Sequence, residues 1–196
     1  MRKWLLKQFE WYRGLILRLK TRRGFLFYKD KDMQLYEKYV TETVDEKTGR
    51  LTKIDFHIPD DFNFGFDVVD FWGKNTPDKT ALLWVGEHHE EKTFTFSDMM
   101  RLTNKTANYF RSLGIKKGDR VMLILRRHYQ FWFSIVALHK IGAIVIPATD
   151  QLMKKDLVYR FNLAGVSAVV ISSTGSIVDE AEKAFEQCDV KTKILV

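Results

Sequence analysis

Cysteine is nearly absent from this chain. One thiol, Cys188, in 196 residues excludes an intrachain disulfide and any zinc or iron–sulfur site built on several cysteines. Three prolines and eleven glycines exclude collagen-like and low-complexity classes. No uncharged apolar run approaches the roughly 18 residues that a membrane-spanning helix needs. The five histidines, His57, His88, His89, His128 and His139, include no pair at the i, i+4 spacing of a zinc-binding helix, so no metal site is expected. No Gly-x-Ser-x-Gly elbow supports a hydrolase nucleophile. No Gly-x-Gly-x-x-Gly follows a predicted strand, which argues against a dinucleotide site. What remains is a chain of reducing-compartment type, expected to be cytoplasmic.

Its composition is otherwise ordinary: 45% hydrophobic and 29% charged, enough apolar content to build a core. The net charge of +7 is localised. Residues 1–24 hold eight basic side chains (Arg2, Lys3, Lys7, Arg13, Arg18, Lys20, Arg22, Arg23) against one acid, Glu10, which is the whole excess. The rest of the chain is charge-neutral, so nucleic acid is not an expected partner.

On a helical wheel Trp4, Leu5, Phe9, Trp11, Tyr12, Leu15, Ile16 and Leu19 share about one half, opposite Lys3, Lys7, Glu10, Arg13, Gly14 and Arg18, with Leu6 and Leu17 as misfits. Residues 1–23 therefore read as a basic amphipathic helix. Such a helix either packs its apolar face on the body or on a neighbouring chain, or lies on an anionic bilayer as a peripheral contact through residues 1–20. Packing is the more general use of the pattern. Charges interrupt the apolar stretch every few residues, which argues against a secretory signal.

Residues 24–61 are charged and weakly periodic, and are expected to form short helices and loops. Val44–Arg50 and Pro59-Asp60-Asp61 read as turns. From Phe62 the pattern sharpens. Phe66 to Trp72 is expected to be a short helix ended by Gly73 and Asn75-Thr76-Pro77-Asp78. Ala81–Val85 and Thr93–Phe96 form a predicted hairpin. Ser97 is placed to cap a helix running through Ser112.

Strands and helices then alternate. Arg120–Leu125, Ala143–Pro147, Ala168–Ile171 and Lys193–Val196 are apolar on both faces. Tyr129–Ile141, Lys154–Ala164 and Ile177–Gln187 are helical, the first two ended by Gly142 and Gly165. Continuous β-branched strands separated by such helices predict an α/β fold with a mostly parallel sheet covered by helices. Ser172-Ser173-Thr174-Gly175-Ser176 follows a strand and opens a helix, as phosphate loops do. With one glycine and no lysine it reads as a loop and helix cap. Acidic neighbours at 60–61 and 179–180 read as solvated faces.

Three stretches carry a resemblance: Phe94-Thr95-Phe96-Ser97-Asp98-Met99-Met100, Leu113–Val121 with its Lys116-Lys117-Gly118-Asp119 turn, and Ala137–Thr149 with its helix, glycine, strand and proline. In this order and spacing, with the upstream Asn75–Leu82, they resemble the N-terminal part of the AMP-forming acyl-CoA synthetases, within the adenylate-forming enzymes. The acetyl- and medium-chain branch is the most similar. The resemblance covers residues 62–196 well and 24–61 loosely. It implies the first part of the AMP-binding domain, preceded by residues 1–23.

For the parent enzyme, the resemblance implies ligation of a short- or medium-chain carboxylate to coenzyme A with ATP and magnesium, as in fatty acid metabolism. The family's phosphate-holding loop, its magnesium- and ribose-binding acids and its C-terminal lysine have no counterpart between Met1 and Val196. No catalytic residue is therefore expected here, no cofactor is expected bound, and the chain alone is expected to be inactive. Thr149, Asp150 and Gln151 are the candidate coenzyme A-side loop, although the glycine found there in some acetyl-CoA synthetases is missing. The rival reading is a non-catalytic membrane-associated or oligomer-forming module. A homo-oligomer is the expected assembly.

Overall fold

The computed structural model describes residues 34–196, and the amphipathic segment expected over 1–23 lies outside them. Along the sequence the chain divides into two compact units between Asp55 and Phe56. In the first, a 3-10 turn, Leu35–Lys38, precedes β1 (Val40–Val44) and β2 (Leu51–Phe56), which pair as a two-stranded sheet. The expectation of short helices and loops is corrected here. The β-branched Val40-Thr41-Glu42-Thr43-Val44 and the Thr52 and Ile54 positions suit strands, but both strands are largely exposed and polar, so no apolar alternation advertised them. The polar turn at Val44–Arg50 is present. The Asp45 carboxylate accepts from the Lys47 and Thr48 backbone N–H groups and the Thr48 hydroxyl.

The second unit begins with a π-helical turn, Gly65–Asp70, continuing into α1 (Phe71–Asn75). The helix ends at the expected Asn75-Thr76-Pro77-Asp78 break, while Gly73, also expected to end it, lies inside it. A Cβ there would meet Met100 Cβ at 2.8 Å, so glycine allows close helix–helix approach instead of a stop. β3 (Thr80–Val85) and β4 (Glu91–Thr95) form the antiparallel hairpin. α2 (Phe96–Ser112) is capped by Thr95, not by Ser97. The Asp98 N–H donates to Thr95 Oγ1 at 3.2 Å and the Thr95 N–H donates to the Asp98 carboxylate at 3.2 Å, a reciprocal capping box.

The main sheet has four parallel strands in the order β6-β5-β7-β8: β5 (Arg120–Ile124), β6 (Ile144–Pro147), β7 (Ala168–Ile171) and β8 (Thr192–Leu195). α3 (Gln130–Ile141) joins β5 to β6, α4 (Lys154–Ala164) joins β6 to β7, and α5 (Ile177–Phe185) joins β7 to β8. The first crossover runs one way along the sheet and the next two run the other way. With right-handed crossovers α3 therefore covers one face, and α4 and α5 the other.

The core follows that split. Val121, Leu123, Val170 and Ile194 pack on Phe110, Ala137 and Leu138 of α2 and α3. Met122, Ile124, Val169 and Ile171 pack on Leu157, Phe161, Ile177 and Ala181 of α4 and α5. β5 contributes to both faces and is essentially unexposed from Val121 to Ile124. Each such side chain contributes about 1.5–3 kcal/mol by leaving water. The expected α/β class with a mostly parallel sheet and flanking helices is what the structure has.

Candidate functional site

In an open parallel sheet, ligands bind beyond the carboxyl ends of the strands, where neighbouring strands send their connections in opposite directions. Here that point lies between β5 and β7. Past β5 the chain runs through buried Leu125 into Arg126, Arg127 and His128. Past β6 it reaches Thr149, Asp150 and Gln151, and past β7 Ser172, Ser173 and Thr174. The sheet order brings these three segments to one crest.

The crest is held by specific bonds. His128 Nε2 and Ser172 Oγ lie 3.0 Å apart, across the switch point itself. Ser172 Oγ lies 3.1 Å from Thr174 Oγ1, and the Ser172 N–H donates to Ile124 O at 3.0 Å. Arg126 Nε pairs with Asp150 Oδ2 at 2.8 Å, tying the β5 and β6 loops together. The Trp84 indole N–H of the β3–β4 hairpin donates to Arg127 O. Trp84 and Tyr129 meet edge to face at 5.3 Å, and Lys92 Nζ lies 4.5 Å from the Tyr129 ring centroid and donates to the Tyr129 hydroxyl at 3.2 Å. The hairpin therefore braces the β5 loop from outside.

The candidate residues divide by environment. Thr149 and Gln151 are exposed, and the Gln151 N–H donates to Thr149 Oγ1 at 3.3 Å. Asp150 is half-buried and its charge is engaged by Arg126, so it holds the loops together. Arg127 has an exposed guanidinium with no side-chain partner among the described residues. Ser172 is wholly buried. A buried hydroxyl beside an imidazole cannot reach a substrate carbonyl, so the His128–Ser172 pair fastens loops and is no nucleophile.

Residues 172–176 form the expected loop, with Ser176 in the cap position of α5 but no capping bond from a side chain. Ser172 serves the crest. The N-terminal turn of α5 is already offset by Asp179 and Glu180. Glu180 accepts from the Lys154 N–H at 2.7 Å, and this bond, with Lys183 beside it, holds its carboxyl below its ordinary range.

Sequence reading missed Arg126, Arg127 and His128. The available signal was an Arg-Arg-His run directly after a strand apolar on both faces. Chemically, the crest offers one free guanidinium, an imidazole, hydroxyls and an amide, which is a set for binding an anion or a polar group. Among the described residues no three His, Cys, Asp or Glu side chains cluster as a metal site.

Comparison with known proteins agrees with this architecture. The family model for AMP-binding enzymes matches residues 69–196, well over half of the chain. The chain is 37% identical over 150 residues to the acyl-coenzyme A synthetase ACSM1, mitochondrial, of Mus musculus, covering 72% of this chain and 26% of that protein. It is 29% identical over 196 residues to the human acyl-coenzyme A synthetase ACSM5, mitochondrial, covering 95% of this chain and 33% of the relative. Among solved structures, a Mycobacterium tuberculosis fatty acyl CoA synthetase superposes with a TM-score of 0.60 at 22% identity, covering 68% of this chain and 26% of that one. A benzoate CoA ligase from Burkholderia xenovorans LB400 gives 0.57 at 18% identity, with 69% and 26% covered. At those identities the structural likeness speaks for the fold. The chain spans about a quarter of the length of the first of these relatives. It belongs to the AMP-binding enzyme family.

Proposed function

We propose that this chain forms the N-terminal part of an ATP-dependent acyl-CoA synthetase acting on a short- or medium-chain carboxylate. In that reaction the carboxylate attacks the α-phosphorus of ATP, giving an acyl-adenylate and releasing pyrophosphate. The thiol of coenzyme A then attacks the acyl carbon and AMP leaves. This chain's own part is to carry the coenzyme A side of the site at the crest. Thr149 and Gln151 supply exposed polar groups, Asp150 locks Arg126, and Arg127 offers its guanidinium to a phosphate.

The observation that carries the reading is the unpaired Arg127 guanidinium at the topological switch point, braced through its own carbonyl by Trp84. The family membership and the acyl-coenzyme A synthetase relatives support the reaction class. The mitochondrial names belong to those relatives, against the cytoplasmic expectation here. We assign this chain only to a reducing, aqueous compartment, in keeping with its single cysteine. We propose a homo-oligomer as well, formed through the outer edge of β8, which is unpaired among the described residues and carries the exposed Leu195.

Calorimetric titration of the chain with coenzyme A tests the crest. Arg127→Gln should weaken binding about tenfold, as expected for one charge-assisted bond. Equal binding by the two proteins would overturn the assignment. Pyrophosphate release with ATP, magnesium and acids from acetate to octanoate should stay at the no-protein level for this chain alone, because the donors that stabilise the transferring phosphoryl group have no counterpart in it. Turnover above that level would overturn the expected inactivity.

A further inference from the structure

At the opposite end of the sheet from the crest lies an open cleft of about 810 Å³, within the size range of small-molecule sites. The last turns of α2 and α3 and the turn before β5 form it. Its floor is Ala107, Ile115 and Ile141, and the half-exposed Phe66 ring stands at one side. Arg111, Lys116 and Lys117 supply its charge, and no carboxylate pairs with any of them among the described residues.

The lining is built as well as charged. Lys140, whose side chain is 1% exposed, lines the cleft and donates to Asp70 Oδ1 at 2.6 Å and to Asn104 Oδ1 at 2.7 Å. That bond engages the Asn104 carbonyl oxygen, and among the described residues its Nδ2 donors, like the Asn108 amide beside it, have no partner. The Lys117 stem is laid against Gly142, where a Cβ would sit 3.0 Å from Lys117 Cγ, and the Gly118 N–H donates to Gly142 O at 3.0 Å. The basic turn is thereby fastened to the end of α3.

Electrostatics decide what fits. Two helix C-termini, each equivalent to about half a negative charge, and the Asp119 carboxylate face three cations that are unpaired among the described residues, so the site keeps about one positive charge. Asp70 is neutralised by Lys140, whereas Asp119 keeps its charge and accepts from the Lys116 N–H at 2.9 Å. Donors and cations dominate over free acceptors, above an apolar floor and beside an aromatic ring.

We propose that this cleft binds an organic phosphate, a multivalent phosphate group on an aromatic body of nucleotide size, at a site separate from the crest. The phosphates meet Arg111, Lys116 and Lys117, the Asn104 and Asn108 amides donate to polar atoms, and Phe66 stacks on the body. The inference stands independently of the reaction proposed above.

Isothermal titration of the chain with ADP and, separately, with inorganic pyrophosphate tests it, both without magnesium. ADP is expected to bind more tightly than pyrophosphate, with affinity falling as salt rises. Arg111→Gln combined with Lys117→Gln should weaken ADP at least about tenfold. Asn108→Asp, a single exposed change, should weaken it in the same direction, while Lys191→Gln, outside the lining, controls for net charge. Unchanged affinity in the cleft variants, or a loss in Lys191→Gln as large as theirs, overturns the site. Equal affinity for ADP and pyrophosphate overturns the aromatic body. Loss of ADP binding on Arg127→Gln, with the cleft variants intact, moves the ligand to the crest and overturns this inference while leaving the crest assignment standing.

Discussion

Asp70 and Lys140 lie 70 positions apart in sequence and form a buried ion pair at 2.6 Å, with side chains 8% and 1% exposed. Burial pulls the Lys140 ammonium below its ordinary range, and the neighbouring Asp70 carboxylate opposes that. The pair is surrounded by residues that tolerate no displacement. A Cβ on Gly65 would approach Lys140 Cγ to 2.4 Å, so glycine at 65 is required by close packing. Asn63 Nδ2 donates to His139 O at 2.8 Å and fastens the segment before the π-helical turn to the end of α3. Asp70→Asn should therefore cost about 3–5 kcal/mol, because it leaves a buried charge without its counter-ion. Asp70→Leu combined with Lys140→Met should recover much of it. Urea denaturation of the three proteins checks both values. A loss under 1 kcal/mol for Asp70→Asn would mean that water reaches Lys140.

At the scale of elements, helix ends were legible where a local motif makes them. Gly142 and Gly165 adopt φ +74° and +59° just after α3 and α4, as glycines after an apolar period announce. The N-terminus of α2 shifted from Ser97 to Thr95 because the box partner, Asp98, must lie three residues beyond the cap. Near the end of α3, His139 is half-buried with Nδ1 unpartnered, and burial pulls its imidazole below the ordinary 6.5. The unfolded chain then binds a proton that the folded one resists. This contribution is present above pH 6.5 and lost as pH falls through the lower folded value. The melting temperature should drop over that acid range, and His139→Leu should flatten the drop. A parallel decline in both proteins would assign it to other groups.

For the whole molecule, the exposed outer edge of β8 beside the groove of Ile171, Val178, Phe185 and Leu195 favours association. Light scattering at tens of micromolar should give a dimer or larger species, and a monomeric mass would count against it. The α/β class, the four strands and the three crossover helices were readable from sequence because each is a local period: a run apolar on both faces, or a 3.6-residue stripe. The β1–β2 hairpin was not, since its strands bury little and carry no apolar alternation. Of the crest, the Thr149–Gln151 loop was marked by resemblance and Ser172 was read as part of a loop and helix cap, while Arg126 and Arg127 were not singled out and His128 was weighed only as a metal ligand. Strand order decides which loops become neighbours, and order follows from crossover direction, not from any one segment. The same holds for the basic cleft, whose Asn104, Arg111, Lys117 and Lys140 come from two helices and a turn. From Phe62 onward the sequence by itself determined which segments would be strands and helices and that helices would cover a parallel sheet. Tertiary structure alone decided which charges were paired and which stood free, because counter-ions such as Asp70 and Asp150 reach their partners only through packing.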